Sequence, residues 1–213
     1  AVFWCIDKRK GYYLMTVGFF GMILNQFLKI LCCVPRPWVK DPEFTIVEPA
    51  RAGATGYSFP SGHTQNAVGT FGGIARATKR HCLRWVCVVI FVLVSFSRMY
   101  LGVHTPLDVG VSFVIAAVLV FAIYPLMRRA DRYPRLMAGL LASMVLLSAA
   151  YLTFTLVYPF PPDIDSANLA SGVENGWKLL GATLGIALAW WLDRQYVRFE
   201  TKAVWWVQVI KFI

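Results

Sequence analysis

Apolar positions along this chain fall into long runs separated by short polar stretches. A helix crossing the hydrocarbon core of a bilayer needs about 20 mainly apolar residues. Runs of that kind occupy residues 12–30, 83–101, 107–127, 136–158 and 176–192. A sixth helix is predicted over 61–77, where Gly, Ala and Thr are frequent. Small residues let a helix pack closely inside a bundle rather than face lipid. The opening AVFWCI is too short to span, and it reads as the tail of a truncated helix. The closing AVWWVQVIKFI reads the same way. The pattern predicts an all-α, polytopic transmembrane bundle of about six spans plus truncated helices at both ends. There is no repeat, low-complexity tract or linker, so the expectation is a single membrane-embedded domain over 1–213.

Composition agrees with the pattern. Of 213 residues, 58% are hydrophobic and only 15% are charged, where a soluble domain carries about 25%. The net charge is +10, and its placement matters more than its size. Lys8, Arg9 and Lys10, then Arg76, Lys79, Arg80 and Arg84, then Arg128, Arg129, Arg132 and Arg135, then Arg194, Arg198 and Lys202 all fall on one side of the predicted spans. Lys29, Arg36, Lys40, Arg51 and Arg98 fall on the other. The richer side is expected to be cytoplasmic by the positive-inside rule. Basic residues scattered over separate short loops form no stripe, which argues against nucleic acid as a partner. The five cysteines show no C-x-x-C spacing and read as small apolar core residues. Trp190, Trp191, Trp205 and Trp206 read as an interfacial belt.

Three polar segments fall on the less basic side: KILCCVPRP (29–37), FPSGHT (59–64) and SRMYLGVHTPLD (97–108). Charged groups beside apolar spans are costly and point to function. Here they supply three cations, two histidines, an Asp and a Ser-Gly turn, a set suited to an anion and best to a phosphate. Two prolines flank Arg36 and fix its backbone at a bend. Lys29 could instead be a cation snorkelling to the interface. Ser61 reads as the N-cap of a helix opening with Gly62, His63 and Thr64, whose free N–H groups suit an anion. Gly62 permits close approach of a ligand to the backbone. His63 reads either as a structural donor or as a group aimed at the same mouth. Asp108 has two readings: half of a capping box with Thr105, or the partner that orients His104 four residues back. Arg98 can grip phosphate with two N–H groups. Glu174, Asn175 and Lys178 sit near the outer end of a later helix, where they line the mouth or cap the helix.

K-x6-R-P at Lys29 to Pro37, P-S-G-H at Pro60 to His63, and S-R-x5-H-x3-D at Ser97 to Asp108 resemble, in order, the three signature motifs of the type 2 phosphatidic acid phosphatase family. These are integral-membrane lipid phosphate phosphatases, and the resemblance covers about 12–127. It implies that His104 attacks phosphorus to form a phosphohistidine, that Asp108 orients it, and that His63 protonates the leaving oxygen and then activates water. Lys29, Arg36, Ser61, Gly62 and Arg98 would hold the phosphate oxygens. The additional C-terminal helices, about 135–213, depart from the simplest family pattern. Members acting on sphingosine phosphate or glucose phosphate also carry extra helices.

The expected function is a hydrolase acting without metal or cofactor on a lipid phosphate or diphosphate at the extracytoplasmic face. Phosphatidic acid, phosphatidylglycerol phosphate and polyprenyl diphosphates are the substrate classes. Asp41, Glu43 and Glu48 are spread over an irregular loop and make no divalent-cation pattern. Phosphate or vanadate is expected as ligand or inhibitor, and a bacterial plasma membrane as the location. Two alternatives stand: a transporter or channel using Arg98, His104 and Asp108 as relay or gate, and a phosphatase for a soluble sugar phosphate. A vanadate-dependent haloperoxidase has a similar anion pocket, but those enzymes are soluble.

Overall fold

A computed structural model describes residues 2–130, 132–204, 206, 207 and 210. Every regular element among them is helical. In chain order these are α1 (Lys8–Cys32), α2 (Pro37–Lys40), α3 (Glu48–Arg51), α4 (Gly62–Ala67), α5 (Gly73–Ala77), α6 (His81–Tyr100), α7 (Pro106–Ala130), α8 (Pro134–Val157) and α9 (Ser166–Leu192). Four stretches are long and apolar enough to cross a membrane: Lys8–Lys40, His81–Tyr100, Pro106–Ala130 and Pro134–Val157. Large apolar side chains such as Trp85, Val89, Leu93 and Phe96 stand exposed along α6. A bundle that turns such residues outward is built for lipid, and the protein is an integral membrane protein.

The boundaries follow local rules. Asp7 caps α1 by accepting from the backbone N–H of Arg9 and Lys10. Val2–Ile6 forms one helical turn ahead of that cap rather than continuing into α1. Cys33, in the left-handed conformation, ends α1 just before Pro35 and Pro37. Asp165 caps α9, which runs ten residues further toward its N-terminus than the apolar run 176–192 predicts. Hydropathy marks only the apolar part of a helix, whereas the cap sets its true start.

α1 is central. It packs against α7, α8, α9 and the 62–77 segment, while among the described elements α6 touches only that segment and α7. The core joins Tyr13, Val17, Ile23 and Ile30 of α1 to Val120 and Ile123 of α7, Met144 and Tyr151 of α8, and Leu179 of α9. The small-residue segment 62–77 comes as α4, a wide turn Val68–Gly72, and α5. It lies so close to α1 that a Cβ at Gly73 would meet Leu14 Cδ2 at 2.6 Å. Burial of this helix, expected from its composition, therefore rests on backbone proximity.

Of the cysteines only Cys87 is buried. Cys32 and Cys82 are exposed at helix ends, so the core reading holds for one of them and fails for those two. Trp191 and Trp206 are exposed, and the guanidinium of Arg194 lies 5.7 Å from the Trp190 ring centroid. Trp205 and most of the C-terminal stretch read as a truncated helix lie outside the described residues.

Candidate active site

The C-terminal ends of α1 and α6 and the N-terminal ends of α4, α7 and α9 meet at one end of the bundle. They enclose a cavity of about 500 Å³. Lys29, Arg36, Gly62, His63, Arg98 and His104 all line it. Three segments far apart in sequence thus converge, as the helix-end placement of the motifs predicts.

Ser61 caps α4, its hydroxyl accepting from the Thr64 N–H at 3.4 Å, so the first turn of that helix opens toward the cavity. Its own N–H donates to the Asp108 carbonyl at 3.2 Å, tying the second motif to the third. At Gly62 a Cβ would meet nothing closer than Asn25 Oδ1 at 3.5 Å. Packing leaves room for a side chain there, so the open space falls on the cavity side. His63 is exposed in that space.

The structure shows Asp108 as the cap and places the same carboxylate beside His104. Its Oδ2 accepts from the Thr105 N–H at 2.8 Å while its own N–H donates to Thr105 Oγ1 at 3.3 Å, which is the reciprocal capping box. The same Oδ2 accepts from Ser58 Oγ at 2.6 Å and lies 3.4 Å from His104 Nδ1. A small shift would turn that last contact into a hydrogen bond, and Nδ1 has no other partner among the described residues.

His104 Nε2 lies 3.1 Å from Arg36 Nη1. A guanidinium only donates, so Nε2 must be the nitrogen with the free lone pair and Nδ1 must carry the hydrogen, facing Asp108. Burial keeps this imidazole neutral. It pushes the His104 pKa down from 6.5 to about 4, with Arg36 and Lys29 acting in the same direction and Asp108 against them.

The cations are more engaged than their sequence pattern suggests. Arg36 donates from Nε to Gly56 O at 3.0 Å, from Nη1 to Val103 O at 2.9 Å, and from Nη2 to Thr55 O at 2.8 Å. Lys29 Nζ donates to the carbonyls of Tyr57 and Ser58. Both side chains therefore also fasten the 55–58 loop over the cavity. Arg98 Nε donates to Ser97 Oγ at 3.3 Å, and its own carbonyl accepts from the N–H of His104 at 3.3 Å.

Sequence reasoning missed several supporting residues. Ser58 had no signal, being one hydroxyl in a polar loop. Gly102 lies within the third motif at φ +72, and a Cβ there would meet the Thr45 carbonyl at 2.6 Å. It lets the 44–47 loop close on the turn carrying His104, where Val47 N donates to Leu101 O at 3.2 Å. Asn168 and Ser171 of α9 also line the cavity. Of the three outer α9 residues noted in the sequence, Asn175 is at the mouth, while Glu174 and Lys178 pair with each other at 2.7 Å in an exposed position.

The PAP2 superfamily matches residues 10–132, more than half of the chain and all three motifs. The chain belongs to the PAP2 superfamily. Among curated relatives, an undecaprenyl-diphosphatase of Bacillus subtilis (strain 168) is 32% identical over 118 residues, 55% of this chain and 58% of its own length. An undecaprenyl-diphosphatase of Sulfolobus acidocaldarius is 31% identical over 103 residues, 48% of each chain. A protein of Dictyostelium discoideum named as a probable sphingosine-1-phosphate phosphatase is 27% identical over 210 residues, 91% of this chain and 48% of its own. The chain thus spans about half the length of the curated relatives it matches. No solved structure matches it.

Proposed function

We propose that this PAP2 protein is a membrane phosphatase that hydrolyses a lipid phosphate or diphosphate through a phosphohistidine on His104, at the extracytoplasmic face. The observation that carries this reading is the placement of His104, with Nε2 3.1 Å from the Arg36 guanidinium and Nδ1 3.4 Å from the Asp108 carboxylate, which suits a neutral imidazole whose lone pair lies on Nε2. An imidazole so arranged is a nucleophile aimed at whatever anion the cations hold.

The phosphoryl group sits among Lys29, Arg36, Arg98 and the N–H groups opening α4; Ser61, expected from the sequence to hold a phosphate oxygen, is fully buried off the cavity lining and acts as the cap of that helix. The Arg36 Nη1–H passes from His104 Nε2 to a phosphoryl oxygen, freeing the lone pair. Nε2 bonds to phosphorus as the P–O bond to the leaving group breaks, and His63 gives its proton to the departing oxygen. Asp108 stabilises the positive charge that the imidazole gains. Neutral His63 then takes a proton from water, whose oxygen attacks phosphorus. Phosphate leaves, and His104 recovers its lone pair. Fixed cations neutralise the charge on the transferred group throughout.

The outward-facing orientation rests on the basic residues. Arg9, Lys10, Lys79, Arg128 and Arg132 line a pocket formed by the N-terminal end of α1 and the C-terminal end of α7, opposite the site. A lipid substrate is supported by the undecaprenyl-diphosphatase relatives and by the position of the cavity at the end of membrane-length helices. A relay or gate has less support, because Arg98, His104 and Asp108 cluster at helix ends rather than midway along the spans.

The test separates the two histidines by leaving group. A lipid alkoxide needs a proton as it departs, help worth about 10²–10⁴-fold, whereas nitrophenolate does not. His63→Ala should nearly silence the single-turnover burst with a lipid phosphate and spare much of it with nitrophenyl phosphate. His104→Ala should silence both. Equal losses on both substrates in both variants would refute the division of labour. Vanadate should inhibit and a chelator should leave the rate intact. A strict need for magnesium would overturn the mechanism.

A further inference from the structure

α9 lies outside the segment matched by the superfamily, yet it forms one wall of the cavity. Asn168, Ser171, Gly172 and Asn175 all line it, at the i, i+3, i+4, i+7 spacing of a single helix face. The other faces of α9 have other tasks. Gly176, Leu179 and Thr183 are buried in the bundle, and Trp177, Leu184 and Leu188 are exposed on its apolar outside.

The polar face is held at a fixed depth. A Cβ at Gly172 would meet Ile30 Cδ1 at 2.6 Å, and Tyr151 Oη donates to the Gly172 carbonyl at 3.0 Å. Asn175 Nδ2 donates to Gln26 Oε1 of α1 at 3.4 Å. With Gln26, which Asn175 touches, α9 presents neutral amides and a hydroxyl to the cavity. The charges lie elsewhere, on Lys29, Arg36 and Arg98. The charged lining thus comes from α1, the turn after it and α6, whereas α9 adds only uncharged groups.

We propose that Asn168, Ser171 and Asn175 determine substrate specificity by holding hydrogen-bonding oxygens of the leaving group, just beyond the scissile P–O bond. The inference rests on the phosphatase reading above. The transferred phosphoryl belongs among the cations, so the amide wall meets what stays attached to the leaving oxygen. A bare alkyl chain there would strip these groups of water and return no hydrogen bonds, which is costly. A leaving group carrying oxygens satisfies them. Two sources have that chemistry: the second phosphate of a lipid diphosphate, and the hydroxyl of a glycerol-type headgroup.

The experiment measures kcat/KM of the purified full chain on three probes: dodecyl phosphate, dodecyl diphosphate and phosphatidylglycerol phosphate. The wild type should prefer at least one oxygen-bearing probe over dodecyl phosphate. In the triple variant Asn168→Ala, Ser171→Ala, Asn175→Ala that preference ratio should fall by about 10–100-fold, the effect of losing two or three hydrogen bonds. The single variants Asn168→Ala and Ser171→Ala, at half-buried positions, should each lower it by about threefold or more if the triple variant fails to fold. A fall confined to the diphosphate assigns the wall to a second phosphate, and a fall confined to phosphatidylglycerol phosphate assigns it to the hydroxyl. Ratios that stay fixed, or a wild type preferring dodecyl phosphate, would overturn the inference and leave the phosphatase reading intact. A wild type inactive on all three probes would overturn both.

Discussion

The two ends of the bundle are both basic, but the basic residues behave differently. At the site end Lys29 and Arg36 are only 8% and 7% exposed, and each donates to backbone carbonyls. At the opposite end Arg9, Lys10, Lys79, Arg128 and Arg132 surround a pocket of about 560 Å³ and are exposed. Exposed cations are screened by water and salt and contribute little to stability. Buried ones must be satisfied, and a ligand that replaces their solvent meets an almost undiminished charge. In the function proposed above, the same residue types act as an orientation signal at one end and as a cradle at the other.

The sharpest way to break this comparison is Arg36→Ala. It would remove the donor from four acceptors at once: Gly56 O, Thr55 O, Val103 O and His104 Nε2. We expect kcat/KM to fall about 10³-fold, as when a key electrostatic donor is lost. Thermal unfolding in detergent should show about 2–4 kcal/mol of lost stability, because the carbonyls are left unpaired. Arg36→Lys should rescue little, since an ammonium cannot reproduce the planar fork. Near-normal activity in Arg36→Ala would mean that Arg36 takes no part in holding the substrate, and near-normal activity in Arg36→Lys that the planar fork is not needed.

A smaller effect follows from His104 and pH. Its folded pKa of about 4 lies below the ordinary 6.5, chiefly through burial. Between those values the unfolded chain takes up a proton that the folded chain resists. The corresponding stability is intact above pH 6.5, declines as pH falls, and is fully lost below about 4. The melting temperature of the wild type should therefore drop more steeply over that window than that of His104→Asn. Parallel curves would show that the imidazole is not held neutral.

The smallest effect belongs to the other end. Arg128→Gln with Arg132→Gln should change stability by no more than about 0.5 kcal/mol and activity by less than about twofold, as exposed substitutions usually do. A large loss of turnover would erase the distinction between the two ends.

Much of this was legible in the sequence. Apolar runs of spanning length gave the helices, because a bilayer leaves the backbone few other options. Proline and cap chemistry placed Arg36, Ser61 and Asp108 at helix ends. The start of α9 was less legible, since its first ten residues are too polar for a hydropathy pattern. So was Ser58, whose contact with Asp108 spans fifty residues of chain. The capping role of Asp108 was legible too, and the fold sets the same carboxylate beside His104, since a carboxylate oxygen has room for several donors.

The sequence by itself determined an all-helical membrane bundle and the residue types of the proposed phosphate cradle, since both are written in local pattern and spacing. Only the tertiary structure decided how the cradle is held. The tautomer of His104 depends on Arg36, 68 residues away, and on Asp108. The 55–58 loop is fastened by Lys29 and Arg36, and the polar wall comes from α9, beyond the superfamily match. These contacts join segments remote in sequence, and a remote contact exists only once packing has fixed the distance between its partners.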